Sequence, residues 1–442
     1  MSETIEKTIV KDVQTKKNHT GPFLIMVALF FVVGFLTVVN QQFQVPLKGA
    51  FLGNAGEIKD ALATMLTFAF FLGYPATSGI GAKWVENKGY KMTLVNGLIM
   101  LVFGLGIFEL SAWSNSMLPS VSLAGGEVPL AFFVFLIGSF VVGCALAILQ
   151  IVINPYLTAC IVPGTTAVTR MSIGGSSNST GTTLAPLFVT YIVFAGAEAS
   201  DVQIGDIYIP LGALLAFVAV LAFIIPKLNL PNIGSQEEKE DAEPVKLDKS
   251  VWSFSHLKLG VVAIFMYVGV EVCVGANLGL YIEQLIEKGE FPDAVKLLWF
   301  DGKSVAILPA IYWFSMLVGR LCGSFLSKIA GTTQLLVTAG GATVLVIAGM
   351  LTANPWLLVA VGLLHSIMWG AIFALAIDKL GPYTSKGSGA LMIGVVGGAL
   401  MPLFQGILAS SLGSWDMTWF LVIAGELYLV YYALVGYKHN LD

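Results

Sequence analysis

The sequence predicts an all-α integral membrane protein with twelve transmembrane helices in two pseudo-symmetric six-helix bundles. Three observations carry that prediction. The 442 residues are 56% hydrophobic and 11% charged, against about 25% charged in soluble proteins. About twelve apolar runs are long enough to cross a bilayer, which takes about 20 residues each. One polar run divides them into two sets of six. A water-soluble globule of this size lacks the charge to cover its surface, so a soluble enzyme, a nucleic-acid binder and a disordered chain are excluded. The net charge of -4 points to no anionic partner.

The elements follow in order. Residues 1–22 form a polar tail with Lys7, Lys11, Lys16 and Lys17, and the run after Pro22 is too long for a signal-peptide core. Spans are predicted at 23–46, 60–82, 91–113, 130–160, 168–195 and 207–226, then at 257–283, 304–329, 333–352, 355–377, 388–411 and 416–437. Between the sets, 227–256 holds SQEEKEDAEPVKLDKS and reads as a solvated linker; 438–442 is a short tail. The domains are thus 23–226 and 257–437. With both termini cytoplasmic, only Lys48, Lys59, Lys288, Lys296 and Lys303 of the 23 Lys and Arg fall outside. That asymmetry supports an even span count. The two halves also echo each other. GYPATSGIGAKWVENKGYK (73–91) and GRLCGSFLSKIAG (319–331) both space small residues four apart and end on a basic residue, and small residues let helices approach closely.

Polar residues inside the spans carry the functional information, because each is costly in hydrocarbon. Glu271 lies deep in the seventh span with Tyr267 one turn before it. It can hold a proton, coordinate sodium, accept hydrogen bonds from a sugar hydroxyl, or simply fix helix packing. Gln150 and Asn154 share a face of the fourth span, followed by Pro155. Amides offer both donor and acceptor, which suits a polyhydroxylated ligand. The first span ends NQQFQVP, and Gln42 within it is a candidate sugar contact. Asn178 lies among glycines in the fifth span. His365 and Trp369 are one turn apart in the tenth, where an aromatic ring suits the apolar face of a sugar. Gln405 completes the set. Glu109 and Glu426 read as interfacial or structural.

Cys144, Cys160, Cys273 and Cys322 show no CxxC or metal-ligand spacing, and no Walker loop, HExxH or nucleophile elbow is present. The expectation is a transporter rather than an enzyme, with no metal and no cofactor.

Several segments are similar to the fucose and glucose/galactose branch of the major facilitator superfamily. ILQIVINPYLTA resembles its ILQ-x-x-x-NPY pattern, SSNSTGTTLAPLF its FNSLGTTIAP segment, and YVGVEVCVG its YVGAEV-x-IG segment. IFALAIDKLG and GSGALMIGVVGGALMPLFQG resemble its tenth and eleventh spans. The resemblance covers about residues 23–437. It implies a bacterial inner-membrane monosaccharide importer, monomeric, coupled to a proton or sodium and working by alternating access. It places Gln150, Asn154, Asn178, Glu271 and Gln405 in the family's patterns. Three positions depart. Asn40-Gln41-Gln42 stands where members carry Asn-Asp, so the usual coupling carboxylate is missing and Glu271 becomes the candidate ion-coupling group. Gln150 matches the glucose/galactose type, whereas the fucose type has Glu. His365 and Trp369-Gly370 replace an Asn followed by Phe-Pro. An uncoupled facilitator, an amino-sugar carrier and a polytopic membrane enzyme are the alternatives.

Overall fold

The computed structural model describes residues 18–195, 204–231, 249–323 and 329–439. The N-terminal tail up to residue 17, the linker's 232–248 and part of the second small-residue motif lie outside the described residues. Among the described residues, nine helices are long and apolar enough to cross a bilayer. One of them, Lys59–Ser114, holds two spans, because Gly89 takes φ 74° and breaks it. Only glycine adopts that conformation cheaply. Pro355–His365 and Met368–Ile377 make one further span, bent by 41°. Ala167–Leu187 is also long enough, and its Ser, Thr and Gly content keeps its hydropathy low. Twelve spans result, as the sequence predicts.

Span 1 is Thr20–Gln42, continued after Phe43 by the short helix Gln44–Leu52. Spans 2 and 3 are the two parts of Lys59–Ser114. Spans 4, 5 and 6 are Leu130–Ala159, Ala167–Leu187 and Tyr208–Ile224. Spans 7, 8 and 9 are Ser255–Glu287, Ser304–Gly323 and Gly331–Thr352. The bent pair is span 10; Lys386–Leu412 and Asp416–Gly436 are spans 11 and 12. In hydrocarbon every backbone group must be paired within the chain, so apolar runs of this length fold as helices. Side chains begin two of them. Thr166 Oγ1 accepts from Thr169 N at 3.1 Å, and Asn354 Oδ1 accepts from Trp356 N at 3.1 Å, with Pro355 in the first turn.

The halves repeat their packing. Spans 2 and 4 cross where Gly143 lies on the Phe70 carbonyl, and spans 8 and 10 cross where Gly362 lies on the Tyr312 carbonyl. Spans 1 and 5 meet at Gly181 against the Phe31 carbonyl; spans 7 and 11 meet at Gly397 against the Phe265 carbonyl. A Cβ at any of the four would strike backbone. Span 6 packs on the outside of the first half, and spans 9 and 12 pack together on the second.

Three features differ from the sequence expectation. The loop between spans 2 and 3 shrinks to a break at Gly89. Span 10 is not continuous but bends at Ser366–Ile367. Two antiparallel hairpins appear that no alternation announced. Ser120–Leu123 pairs with Gly126–Pro129, and Ala294–Leu297 pairs with Phe300–Lys303. Ala124 (φ 49°) and Gly125 (φ 82°) form the first turn, a backbone that matches strand twist. Both hairpins sit at one end of the bundle, here called the hairpin face; the described termini lie at the other, the terminal face.

The two halves are sealed together on the hairpin face. Ala61 N donates to Ser410 Oγ at 3.0 Å, and Lys48 Nζ lies 2.8 Å from Glu283 Oε2. Thr64 packs on Gly406, and deeper, Phe71 packs on Gly398. Below Phe71 the halves part. Pro75, Ala76, Ser78 and Gly79 of span 2 are exposed, as are Met392 and Ile393 of span 11. A Cβ on Gly79, Gly370 or Gly389 would meet nothing within 4 Å. Among the described residues, a cleft therefore opens to the terminal face. Its roof, at Phe71, is about 12 Å from the level of Gly79 at 1.5 Å per helical residue.

Candidate functional site

The polar layer under the roof is built by consecutive contacts. Gln150 Nε2 donates to Tyr74 Oη at 2.6 Å, tying span 4 to span 2. The Tyr74 ring stacks on Phe71, with centroids 5.7 Å apart and planes at 23°. Phe71 and Val268 both pack against Gly398, which brings span 2 of one half to spans 7 and 11 of the other. One turn from Val268 is Glu271, half-buried and without a basic group within ion-pair range among the described residues. Gln42 Nε2 reaches down from span 1 to the Gly275 carbonyl at 3.1 Å, one turn above Glu271. Gln42 is thus part of the roof.

The aromatic wall is on span 10. Trp369 follows the bend and lies 6.2 Å from Tyr267 and 6.4 Å from Phe373, the latter stacked at 24°. Tyr267 Oη donates to the His365 carbonyl at 3.0 Å, which pairs a carbonyl freed where the helix breaks. Asn154 lies one turn beyond Gln150 toward the open face. Its Oδ1 is buried with no partner among the described residues. An orphaned amide oxygen beside a cleft is a ready acceptor for a ligand hydroxyl.

Gln150, Asn154, Glu271 and Trp369 therefore come together around the cleft, with Gln42 above. The other three candidates are engaged in packing. Asn178 Nδ2 donates to the Phe30 carbonyl at 3.0 Å, stapling span 5 to span 1 beside Gly34. Gln405 is fully buried, with its Oε1 accepting from Asn277 Nδ2 at 3.0 Å and its Nε2 donating to Thr418 Oγ1 at 3.3 Å. His365 is fully buried too. Its Nε2 is 2.6 Å from Glu426 Oε1, and its Nδ1 is 2.9 Å from Tyr312 Oη. With both ring nitrogens engaged, His365 has nothing left to offer a ligand in this state.

Four functional candidates are not singled out by the sequence. Tyr74 is half-buried and bonded to Gln150, yet nothing in span 2 marks it. Tyr312 joins span 8 to His365 and, at 3.1 Å, to the Glu271 carbonyl. Glu426, which the sequence suggests is interfacial or structural, is the buried partner of His365; a carboxylate in an apolar run is the available signal. Arg320, a charge at the cytoplasmic end of span 8 by sequence, instead donates from Nη1 to Ser179 Oγ at 2.7 Å, linking span 8 to span 5 across the halves.

Among the described residues no group of three or more His, Cys, Asp or Glu has metal-site geometry. The donors around the cleft are amides, a phenol, an indole and one carboxylate. That set can surround a neutral, hydroxyl-rich ligand, with rings for its apolar face and amides for its edge.

Comparison with known proteins agrees with this architecture. The sequence matches the Major Facilitator Superfamily over residues 21–396. It is 31% identical to a glucose/galactose transporter of Brucella abortus over 433 residues, 97% of each chain. In three dimensions it is similar to the Escherichia coli fucose:proton symporter (TM-score 0.62, 18% identity, 95% of this chain and 99% of that one). It is also similar to the inward-open xylose transporter of E. coli (TM-score 0.67, 15% identity, 96% and 97%). A twelve-span fold with a repeated packing pattern and a central cleft, matched over most of its length, makes this chain a multi-pass membrane transporter of the major facilitator superfamily.

Proposed function

We propose that the protein is a secondary active importer of a monosaccharide, coupled to a proton or sodium ion, and that the cleft under Phe71 is its sugar site. The observation that carries this reading is the gathering of Gln150, Asn154 and Glu271 with the Tyr267–Trp369–Phe373 aromatic run around a cleft that, among the described residues, opens to the terminal face. The hexose specificity named for the Brucella relative and the proton coupling named for the fucose symporter support it. Gln150 and Asn154 hydrogen-bond sugar hydroxyls, Trp369 packs on the ring, and Gln42 closes the roof. Asn178, His365 and Gln405 act from behind this layer by fixing the helices that carry it. Glu271 is the ion-coupling group, because the first span offers Asn40-Gln41-Gln42 and no carboxylate. The hairpin face is extracytoplasmic and the termini are cytoplasmic, which makes the open cleft that of an inward-open state. The protein works as a monomer in the bacterial inner membrane.

The test is uptake of a labelled monosaccharide panel into proteoliposomes under separately imposed proton and sodium gradients. Accumulation of one sugar under one gradient is the expected result, and E271Q abolishes accumulation while leaving sugar exchange. A variant that still concentrates sugar removes Glu271 from coupling. The missing first-span carboxylate favours a second reading, an uncoupled facilitator. Equilibration without accumulation under either gradient decides for it, and silence across the panel refutes the sugar assignment.

A further inference from the structure

Three charged side chains sit in the seal, apart from the sugar site. Lys48 belongs to the short helix after span 1, Asp60 opens span 2, and Glu283 lies near the end of span 7. Lys48 Nζ is 2.9 Å from Asp60 Oδ1 and 2.8 Å from Glu283 Oε2. The side chains are only 10%, 18% and 14% exposed, whereas the Lys296–Asp301 pair of the second hairpin is 71% and 61% exposed. Exposed pairs contribute little, but a shielded pair that loses one member strands a charge. Among the described residues, Lys48–Glu283 is also the one ion pair that joins the two halves.

We propose that Lys48 and Glu283 form a latch, a positioning pair of the transport cycle that holds the hairpin face shut and parts each time that face opens. Opening requires the ends of spans 1 and 7 to separate, and a 2.8 Å contact between them does not survive that motion. The third residue makes the separation feasible. Asp60 is on the same half as Lys48 and travels with it, so the ammonium keeps a carboxylate when Glu283 leaves. Glu283 meanwhile meets the water that enters between the halves. One cation thus serves two carboxylates, one on each half. The neighbouring contacts of the seal, Ala61 to Ser410 and Thr64 to Gly406, are neutral and short-range. The latch is therefore the charged element that sets how often the seal opens, whichever solute is carried.

The test is a distance measurement on the full-length protein in nanodiscs. Exposed Cys322 is replaced by Ser, and spin labels are placed at S122C, on the first hairpin, and at E290C, just beyond span 7 on the other half. Pulsed electron–electron double resonance then reads the distance across the hairpin face. The parent is expected to show one dominant short distance. E283Q is expected to raise a longer-distance population by about tenfold. D60N, which spares the cross-half pair, keeps the parent distribution. The charge exchange K48E/E283K again places one cation between two carboxylates and restores the short distance. An unchanged distribution in E283Q overturns the proposal. So does a D60N variant that opens as far as E283Q, or a failure of the exchange to restore closure in monodisperse protein.

Discussion

Replacing Glu426 by Gln and by Ala gives two outcomes that the hydrogen-bond geometry tells apart. Tyr312 Oη is 3.1 Å from the Glu271 carbonyl and 2.9 Å from His365 Nδ1. A carbonyl can only accept, so the single hydroxyl hydrogen goes to Glu271, and Tyr312 accepts from His365 Nδ1–H. One proton then lies between His365 Nε2 and Glu426 Oε1, 2.6 Å apart. Glu426 Oε2 is buried with no partner among the described residues. In E426Q the new amide can donate to Nε2, keeping the bond at a cost of about 1 kcal/mol or less. E426A leaves a buried ring nitrogen unpaired, roughly 1–3 kcal/mol, and opens a void worth roughly 1 kcal/mol more. Thermal unfolding in detergent, followed by tryptophan fluorescence, is the assay. E426A is expected to lower the apparent Tm by roughly 2–4 °C, with E426Q close to the parent. Equal losses in both variants refute the shared-proton arrangement in favour of a full ion pair, and an E426A variant as stable as the parent refutes any weight for the pair.

Other outcomes follow from the same contacts. Q150A removes the Tyr74 partner and a proposed sugar contact; binding calorimetry is expected to show roughly a tenfold to hundredfold weaker affinity, with folding unchanged. W369A removes the aromatic wall and is expected to weaken sugar binding by about 1–2 kcal/mol, while W369F recovers most of it, read by tryptophan-independent radioligand binding. G397V drives two methyls and a Cβ into the Phe265 carbonyl; overpacking of about 3 kcal/mol or more is expected, seen as loss of monodisperse protein on size exclusion, whereas L412A at the exposed end of span 11 is silent.

Much of this molecule is legible in its sequence. Bilayer physics turns each long apolar run into a helix, so the twelve spans follow from hydropathy. The repeat is legible as well, because Gly73 and Gly319 end matching spans, although which backbone each glycine touches is not. Residue type alone singled out Gln150, Asn154, Glu271 and Trp369 as candidates. It did not separate them from Asn178, His365 and Gln405, because rotation of a helix about its axis decides who faces the cleft, and spans buried on most sides show little periodicity. Pairings such as His365 with Glu426, 61 residues away, are set by tertiary packing, as is the Arg320–Ser179 bond. The bend at Ser366–Ile367 carries no proline or glycine at the break, so sequence rules had nothing to act on. The hairpins escaped because each strand is four residues long.

The unequal packing at the two ends of the bundle has an electrical consequence. A water-filled cleft conducts, and a packed seal does not, so the membrane voltage falls almost wholly across the region above Phe71. Glu271, just beneath that region, sits near the potential of the compartment into which the cleft opens. When the seal moves to the other side, the same carboxyl comes to the opposite potential without itself crossing the membrane. For an ionised group this is worth up to about 2.3 kcal/mol per 100 mV. In the proposed orientation, with the cleft open to a negative cytoplasm, an empty carrier bearing an anionic Glu271 is pulled toward the outward-facing arrangement, while a neutralised one is indifferent to voltage. On the coupling role proposed for Glu271, the field resets the unloaded protein for the next cycle.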